Sequence, residues 1–98
     1  MDPCEKRVQH SHPSDNVVTA LADLPQGAVI QLADMPVVAR TAIPFGHKMA
    51  LTRIASGSAV IKYGEVIGVA TADIAAGEHV HSHNLVTQRG HQRRSSDA

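Results

Sequence analysis

The feature that most constrains the fold is a short glycine-containing pattern that recurs along the chain. The copies are DLPQGAVI (residues 23–30), RIASGSAVI (53–61) and DIAAGEHV (73–80). Each has Leu or Ile, two variable residues, Gly, two more residues, and then Val or Ile. Glycine adopts a left-handed backbone at no steric cost, and β-branched residues favour strands. The pattern therefore predicts tight turns at Gly27, Gly57 and Gly77, each of which leads into a strand. The same turn is used three times within one fold.

Short runs rich in Val, Ile and Thr lie between and around these turns. They are NVVTAL, AVIQL, VVARTAI, KMALTRI, SAVIKY, EVIGVATA and HVHSHNL. All have the length of a strand, and no segment carries a sustained helical stripe. Gly64 predicts a hairpin connection, and Gly68, inside an apolar run, predicts a bulge or a close backbone approach. We therefore expect an all-β domain of short strands and glycine turns.

The polar ends predict the limits of this domain. Residues 1–14 contain two prolines, and residues 88–98 have no apolar periodicity, so we expect a flexible lead and a flexible tail around a folded body at 15–87. Phe45 and Tyr63 are the only Phe, Tyr or Trp residues, so the core must be mainly aliphatic and thin. Among the residues around Gly64, Tyr63 is the better core candidate, with its hydroxyl at the rim. A thin core favours a partner subunit or self-association as a homo-oligomer.

Charge and cysteine content exclude several classes of protein. Nine basic residues balance nine acidic ones, which argues against nucleic-acid binding driven by phosphate attraction. Cys4 is the single cysteine, so no intrachain disulfide can form, as is typical of a reducing cytoplasm. The chain has neither an apolar run of membrane-spanning length nor a signal sequence. The sequence predicts a cytoplasmic protein that binds neither nucleic acid nor membrane.

Three histidines alternate in GEHVHSHN, residues 77–84. If this stretch is extended, His79, His81 and His83 share one face, with Cα atoms about 6–7 Å apart. Two such imidazoles could reach one metal ion, and Glu65 is a candidate for a third ligand. The alternatives are a solvated polar face on an edge strand for the histidines, and a turn charge for Glu65.

Basic residues at two turns are candidates for binding an anionic substrate. PFGHKMAL presents His47 and Lys48 at the start of a strand, where an ammonium charge and an imidazole donor can bind a carboxylate. Lys62 precedes the Gly64 turn and is either a further contact or a solvent-facing side chain. Asp23 and Asp73 occupy matching places in the repeated pattern, which favours a structural role in capping backbone N–H groups.

Three stretches together resemble a known family. They are DNVVTALADLPQG, FGHKMAL and ASGSAVIKYGEVIGVATADIAAGEHVHSHN. The order and spacing of their Gly-His-Lys, Lys-Tyr-Gly and His-x-His-x-His-Asn elements resemble the N-terminal SAF-type domain of altronate dehydratase, over roughly residues 13–87. The same module is similar to the N-terminal part of galactarate dehydratase and to the small subunit of sulfolactate sulfo-lyase.

This resemblance implies a β-clip fold and work on sugar acids. Family enzymes remove water from a hydroxy-carboxylate and depend on a divalent metal such as iron. On this resemblance, His79, His81 and His83 contribute metal or carboxylate contacts at the junction with the catalytic part, and we predict them as metal ligands, with a structural role at the strand edge as the alternative for at least one. His47, Lys48 and Lys62 are the predicted substrate contacts, with His47 and Lys48 expected near His81 and His83 in a polar patch that faces the partner. No catalytic residue is assigned. Full-length family enzymes continue into a much larger catalytic domain, so we expect this chain to act as a small subunit beside a large catalytic partner. The alternatives are a stand-alone carbohydrate- or metal-binding module, an oligomerisation module, and a sulfolactate sulfo-lyase small subunit.

Overall fold

The computed structural model describes residues 6–32 and 35–87. Within these ranges the chain forms nine strands and no helix, which confirms the predicted all-β class. The strands are β1 (Val8–Gln9), β2 (Val17–Ala20), β3 (Val29–Leu32), β4 (Met35–Val38), β5 (Lys48–Ala50), β6 (Ala59–Lys62), β7 (Glu65–Ala70), β8 (His79–Val80) and β9 (Leu85–Thr87). In this part of the chain no helix is long and apolar enough to span a membrane. The predicted tail, residues 88–98, lies outside the described residues.

The strands form three small antiparallel sheets. The largest has the order β1-β2-β5-β8, the second is the β3–β4 hairpin, and the third has the order β6-β7-β9. Two isolated bridges, Leu24–Ile43 and Ile54–Ile74, join the segments between the strands. β5 lies between β2 and β8, so residues from distant parts of the sequence meet on either side of it.

The glycine pattern occurs four times in the folded chain. The additional copy is IPFGHKM, residues 43–49, in which Met49 takes the place of the Val or Ile found in the other copies. The glycines of all four copies have positive φ angles, from 83° to 92°: Gly27, Gly46, Gly57 and Gly77. The three predicted turns are therefore confirmed. The Pro/Gly turn expected before His47 is the fourth copy, which was not recognised as one because the pattern was defined too narrowly.

The four copies pair two by two through reciprocal hydrogen bonds. The glycine N–H of each copy donates to the carbonyl of the alanine that precedes the turn of its partner, over 2.7–2.8 Å. These bonds run from Gly27 to Ala39, from Gly46 to Ala20, from Gly57 to Ala70 and from Gly77 to Ala50. The first two copies thus form one half of the domain and the last two form the other half.

The aspartates of the pattern cap the turn of the partner copy. Asp23 Oδ1 accepts the Phe45 N–H at 2.8 Å, and Asp73 Oδ1 accepts the Ser56 N–H at 2.9 Å. Asp73 also lies 3.3 Å from the guanidinium of Arg53. The hydrogen bond from Ser56 and then the Arg53 charge hold the pKa of Asp73 below its ordinary value. The predicted capping role is confirmed.

Each half has its own small aliphatic core. The first comprises Val8, Val18, Ala20, Leu24, Ile30, Val37, Ala39, Ile43 and Met49. The second comprises Val17, Ala50, Ile54, Val60, Ala70, Ile74, Val80 and Leu85. Because successive side chains of a strand point to opposite faces, β2 and β5 each contribute to both cores and form the wall between them.

The sheet includes part of the segment that was predicted to be a flexible lead. β1 pairs with β2, and Val8 is buried in the first core. The folded part of the chain therefore reaches at least to Val8, because one apolar residue among polar neighbours is enough to anchor a two-residue edge strand.

The β6–β7 hairpin contains both features predicted from its glycines. Its turn is Tyr63–Gly64, with φ angles of 58° and 74°. The register shifts beyond Val60, and a Cβ at Gly68 would overlap the carbonyl oxygen of Val86 in β9. The prediction of Tyr63 as a core residue is wrong. Its side chain is 60% exposed, because a residue at the tip of a two-residue turn projects away from the sheet.

The carboxylate of Asp15 holds this turn in place. Its oxygens accept the N–H of Tyr63 at 2.9 Å and that of Gly64 at 2.7 Å. Asp15 is buried, and burial acts to raise its pKa. The two hydrogen bonds and the nearby His10 and His12 lower the pKa by more, so that its value lies below the ordinary one.

Replacing Asp15 by Asn should lower the free energy of unfolding near neutral pH by about 2 kcal/mol, because the single amide oxygen of Asn is a weaker acceptor for one N–H group and the other N–H group then faces the amide NH₂. A carboxylate with a depressed folded pKa stabilises the fold above its unfolded pKa and loses that contribution as the pH falls through the folded value. The difference between the two proteins should therefore shrink below about pH 4. Urea unfolding across this range measures it, with Asp23→Asn as an exposed control that loses less.

Candidate functional site

The histidine-rich stretch is not one extended strand. β8 ends at Val80, and residues 81–84 form a turn. The buried Asn84 fixes this turn, since its Oδ1 accepts the His81 N–H at 2.9 Å and its Nδ2 donates to the His79 carbonyl at 2.9 Å. The prediction of strict alternation is wrong beyond Val80, because an Asn side chain can replace a neighbouring strand as the hydrogen-bond partner of the backbone.

The turn nevertheless brings imidazoles together, and His47 joins them from another part of the chain. His47 Nδ1 lies 2.8 Å from His79 Nε2, and the ring of His47 stacks on that of His81 with centroids 4.2 Å apart. The rings of His79 and His81 are 5.4 Å apart. His47 reaches His79 because β5, which begins one residue after it, pairs with β8 through Met49 and His79.

One potential ligand nitrogen from each of His47, His79 and His81 forms a group whose members all lie within 4.8 Å of one another. We call these three residues the histidine cluster. His83 is outside that group, and its ring contacts His79 at 5.3 Å between centroids. The structure thus brings together residues to which the sequence assigned two roles, one expected substrate contact and two expected metal ligands. Glu65 pairs with Lys62 across the β6–β7 hairpin and does not belong to the group.

The surroundings of His79 and His81 favour neutral imidazoles at these two positions. Desolvation, followed by the charge of His47, lowers the pKa of both His79 and His81. Lys48 lowers both values further. A neutral imidazole has a free ring nitrogen, which is the form that binds metal ions. The cluster therefore fits a transition-metal ion in its donor chemistry.

Two lysines extend this face. Lys48, in β5, is half-buried, and its burial followed by the charge of Lys62 lowers its pKa. Lys62 Nζ lies 4.1 Å from the centroid of the Tyr63 ring. Within the described ranges neither ammonium forms a salt bridge with a carboxylate. Because no carboxylate of the described residues neutralises Lys48 or Lys62, this face carries positive charge beside the imidazole of His47, which precedes Lys48 in the chain, and such a face is suited to an oxyanion.

Comparison with known proteins places this chain in a family. Residues 6–88 match the altronate/galactarate dehydratase SAF domain. Altronate dehydratase from Escherichia coli (strain K12) is 54% identical over 76 residues, and that from Bacillus subtilis (strain 168) is 40% identical over 76 residues. Each match covers 78% of this chain and 15% of the relative. The chain therefore spans a small fraction of the length of these enzymes.

A third relative is closer to this chain in size. The (2R)-sulfolactate sulfo-lyase subunit alpha of Paracoccus pantotrophus is 46% identical over 57 residues, which cover 58% of this chain and 85% of the relative. Taken together, the short antiparallel strands, the glycine turns and the family match define a small β-clip domain. The chain belongs to the altronate/galactarate dehydratase SAF-domain family.

Sequence reasoning predicted the Pro/Gly turn that presents His47, but it did not recognise Gly46 as part of a fourth copy of the pattern. It missed one residue that builds the site. Asn84 closes the turn that folds His81 back towards His79, and its signal was an Asn directly after a polar run. His47 was identified, but its place beside His79 depends on β5–β8 pairing, which no local pattern encodes.

Proposed function

We propose that this chain is the small SAF-domain subunit of a lyase that acts on hydroxy-carboxylates together with a large catalytic polypeptide. The main support is the contrast in coverage: the matching residues make up 15% of the Escherichia coli altronate dehydratase but 85% of a relative that is itself named a subunit alpha. A module of this family thus exists in a subunit of similar size, and the same arrangement fits this chain.

The proposed reaction is the removal of water from a sugar acid of the altronate or galactarate type. It requires a base for the proton next to the carboxylate and assistance to the departing hydroxyl. A divalent metal, with iron as the first candidate, would supply that assistance as a Lewis acid in the complete enzyme. The described residues offer no evident acid–base set for the whole reaction, so we assign the central chemistry to the partner.

The role of this chain is to bind and orient the anionic substrate at the junction with the partner. Burial, and then the positive charge of Lys62, lowers the pKa of Lys48. A bound anion would offset the repulsion between the two ammonium groups, and His47, next to Lys48 in the chain, offers a hydrogen bond. A carboxylate and a sulfonate both meet these requirements, so sulfolactate is the second candidate substrate.

A stand-alone metal-binding module is the second candidate function, and the histidine cluster favours it. That function requires neither a large partner nor a sugar acid. The two functions are distinguished by whether lyase activity is recovered when a large catalytic polypeptide is added. Cytoplasmic location and self-association stay predictions from the sequence.

The purified chain alone should convert none of altronate, galactarate or sulfolactate. Co-expression with the large polypeptide of the same source should yield a complex that converts one of them. The measurement is co-purification followed by an assay of 2-keto acid or sulfite release. Lys48→Met in the complex should raise the KM more than it lowers kcat, because it removes binding of an anion that is present in the ground state as well. Conversion by the chain alone, or a stable complex inactive on all three, contradicts the proposal.

A further inference from the structure

We propose that His47, His79 and His81 form a binding site for a divalent transition-metal ion on this chain, with His83 outside the ligand set. The observation behind it is the convergence of three ring nitrogens, one from each residue, within 4.8 Å of one another. This set differs from the predicted metal ligands, which included His83 and did not include His47.

The backbone fixes all three residues before any ion arrives. The His47 N–H donates to the Pro44 carbonyl at 3.0 Å, and the His47 carbonyl accepts the Ala20 N–H at 2.8 Å. His79 pairs with Met49 in the sheet, and the His81 N–H is held by Asn84. Only side-chain torsions remain free, so little backbone order has to be acquired on binding.

The donor set indicates which ions would bind. Neutral imidazole nitrogens suit Zn²⁺, Fe²⁺, Co²⁺, Ni²⁺ and Cu²⁺, whereas Ca²⁺ and Mg²⁺ require oxygen ligands. The group contains no carboxylate. Three protein ligands leave a coordination position open, as in catalytic rather than structural zinc sites.

The competing explanation is a cluster held only by the contact between His47 and His79 and by ring stacking. The two explanations differ in what His83 should do. If stacking alone holds the rings, replacing a member of the histidine cluster should affect metal affinity no more than replacing His83. If an ion binds, the three cluster members are essential and His83, which only contacts His79, is not.

The test uses the full chain without an affinity tag, stripped of metal with EDTA. Co²⁺ is titrated while the visible spectrum is recorded, and Zn²⁺ affinity is measured by competition with a chromophoric chelator. We expect one ion per chain, and a dissociation constant at least about tenfold higher for His81→Ala and for His47→Ala. His83→Ala is the matched control and should leave the affinity nearly unchanged. His81 is exposed, so its replacement should also leave the thermal midpoint unchanged.

Three results would contradict the proposed metal site. They are the absence of saturable Co²⁺ or Zn²⁺ binding, an equal loss of affinity in His83→Ala and His81→Ala, and binding that disappears only when His10 and His12 are replaced. Any role of this ion in lyase turnover rests on the proposed function, but binding by the chain alone does not. Failure of the reconstituted lyase therefore leaves the metal site intact, and failure of the titration leaves the lyase proposal intact.

Discussion

Replacing Gly77 by Ala is expected to lower the free energy of unfolding by about 2–5 kcal/mol, whereas Gly57→Ala should lower it by about 1–2 kcal/mol. Both glycines have a φ of 87°, so both substitutions carry the strain of a left-handed alanine. They differ in the space available. A Cβ at Gly57 has no atom within 4 Å, but one at Gly77 would overlap the carbonyl oxygen of Val38.

This difference reports how tightly the two halves of the domain are joined. Val38 ends β4 in the first half, and the Arg40 N–H donates to the Gly77 carbonyl at 2.8 Å. Urea unfolding of both variants, with circular dichroism to show that each is folded, gives the two values. Similar losses at the two positions would contradict the close approach of Gly77 to β4.

The turns of the fold could be predicted because their signal is local. A glycine three residues after a Leu or Ile marks each turn whatever the rest of the chain does. The pairing of the copies could not be predicted in the same way. The bond from Gly27 goes to Ala39 and that from Gly77 goes to Ala50, and each partner is selected by packing across the domain rather than by neighbouring residues.

The histidine site was also predicted only in part, because its geometry depends on contacts that a local pattern does not encode. The alternation of His79, His81 and His83 correctly indicated that imidazoles gather there, but for the wrong geometric reason. Beyond Val80 the chain turns under the control of Asn84, and the result is that His81 stacks on His47. Period-two reasoning assumes an extended backbone, and a single buried Asn is enough to end one.

The hydrogen bonds from the Tyr63–Gly64 turn to Asp15, here called the N-terminal clasp, were not predicted because the residues are far apart in sequence. Asp15 looked like the first residue of the folded body, beside a polar lead. Its partners, Tyr63 and Gly64, are almost fifty residues away. The clasp accounts for a tyrosine at a φ of 58°, a conformation that non-glycine residues adopt at a cost of about 1–2 kcal/mol.

The most direct measurement of the central claim uses the Escherichia coli altronate dehydratase, because its matching segment is 54% identical to this chain over 76 residues. Three proteins are compared for altronate dehydration: the intact enzyme, the enzyme without the matching segment, and a chimera in which this chain supplies that segment. Analytical ultracentrifugation and circular dichroism establish that the truncated and chimeric enzymes are folded.

If this chain is the SAF unit of a hydroxy-acid lyase, deletion should lower turnover by about 100-fold or more, since small losses of positioning cost that much. The chimera should recover turnover to within about tenfold of the intact enzyme. A chimera carrying Lys48→Met and Lys62→Met should recover less, because the oxyanion surface is gone. A folded chimera with no more activity than the truncated enzyme would contradict the account.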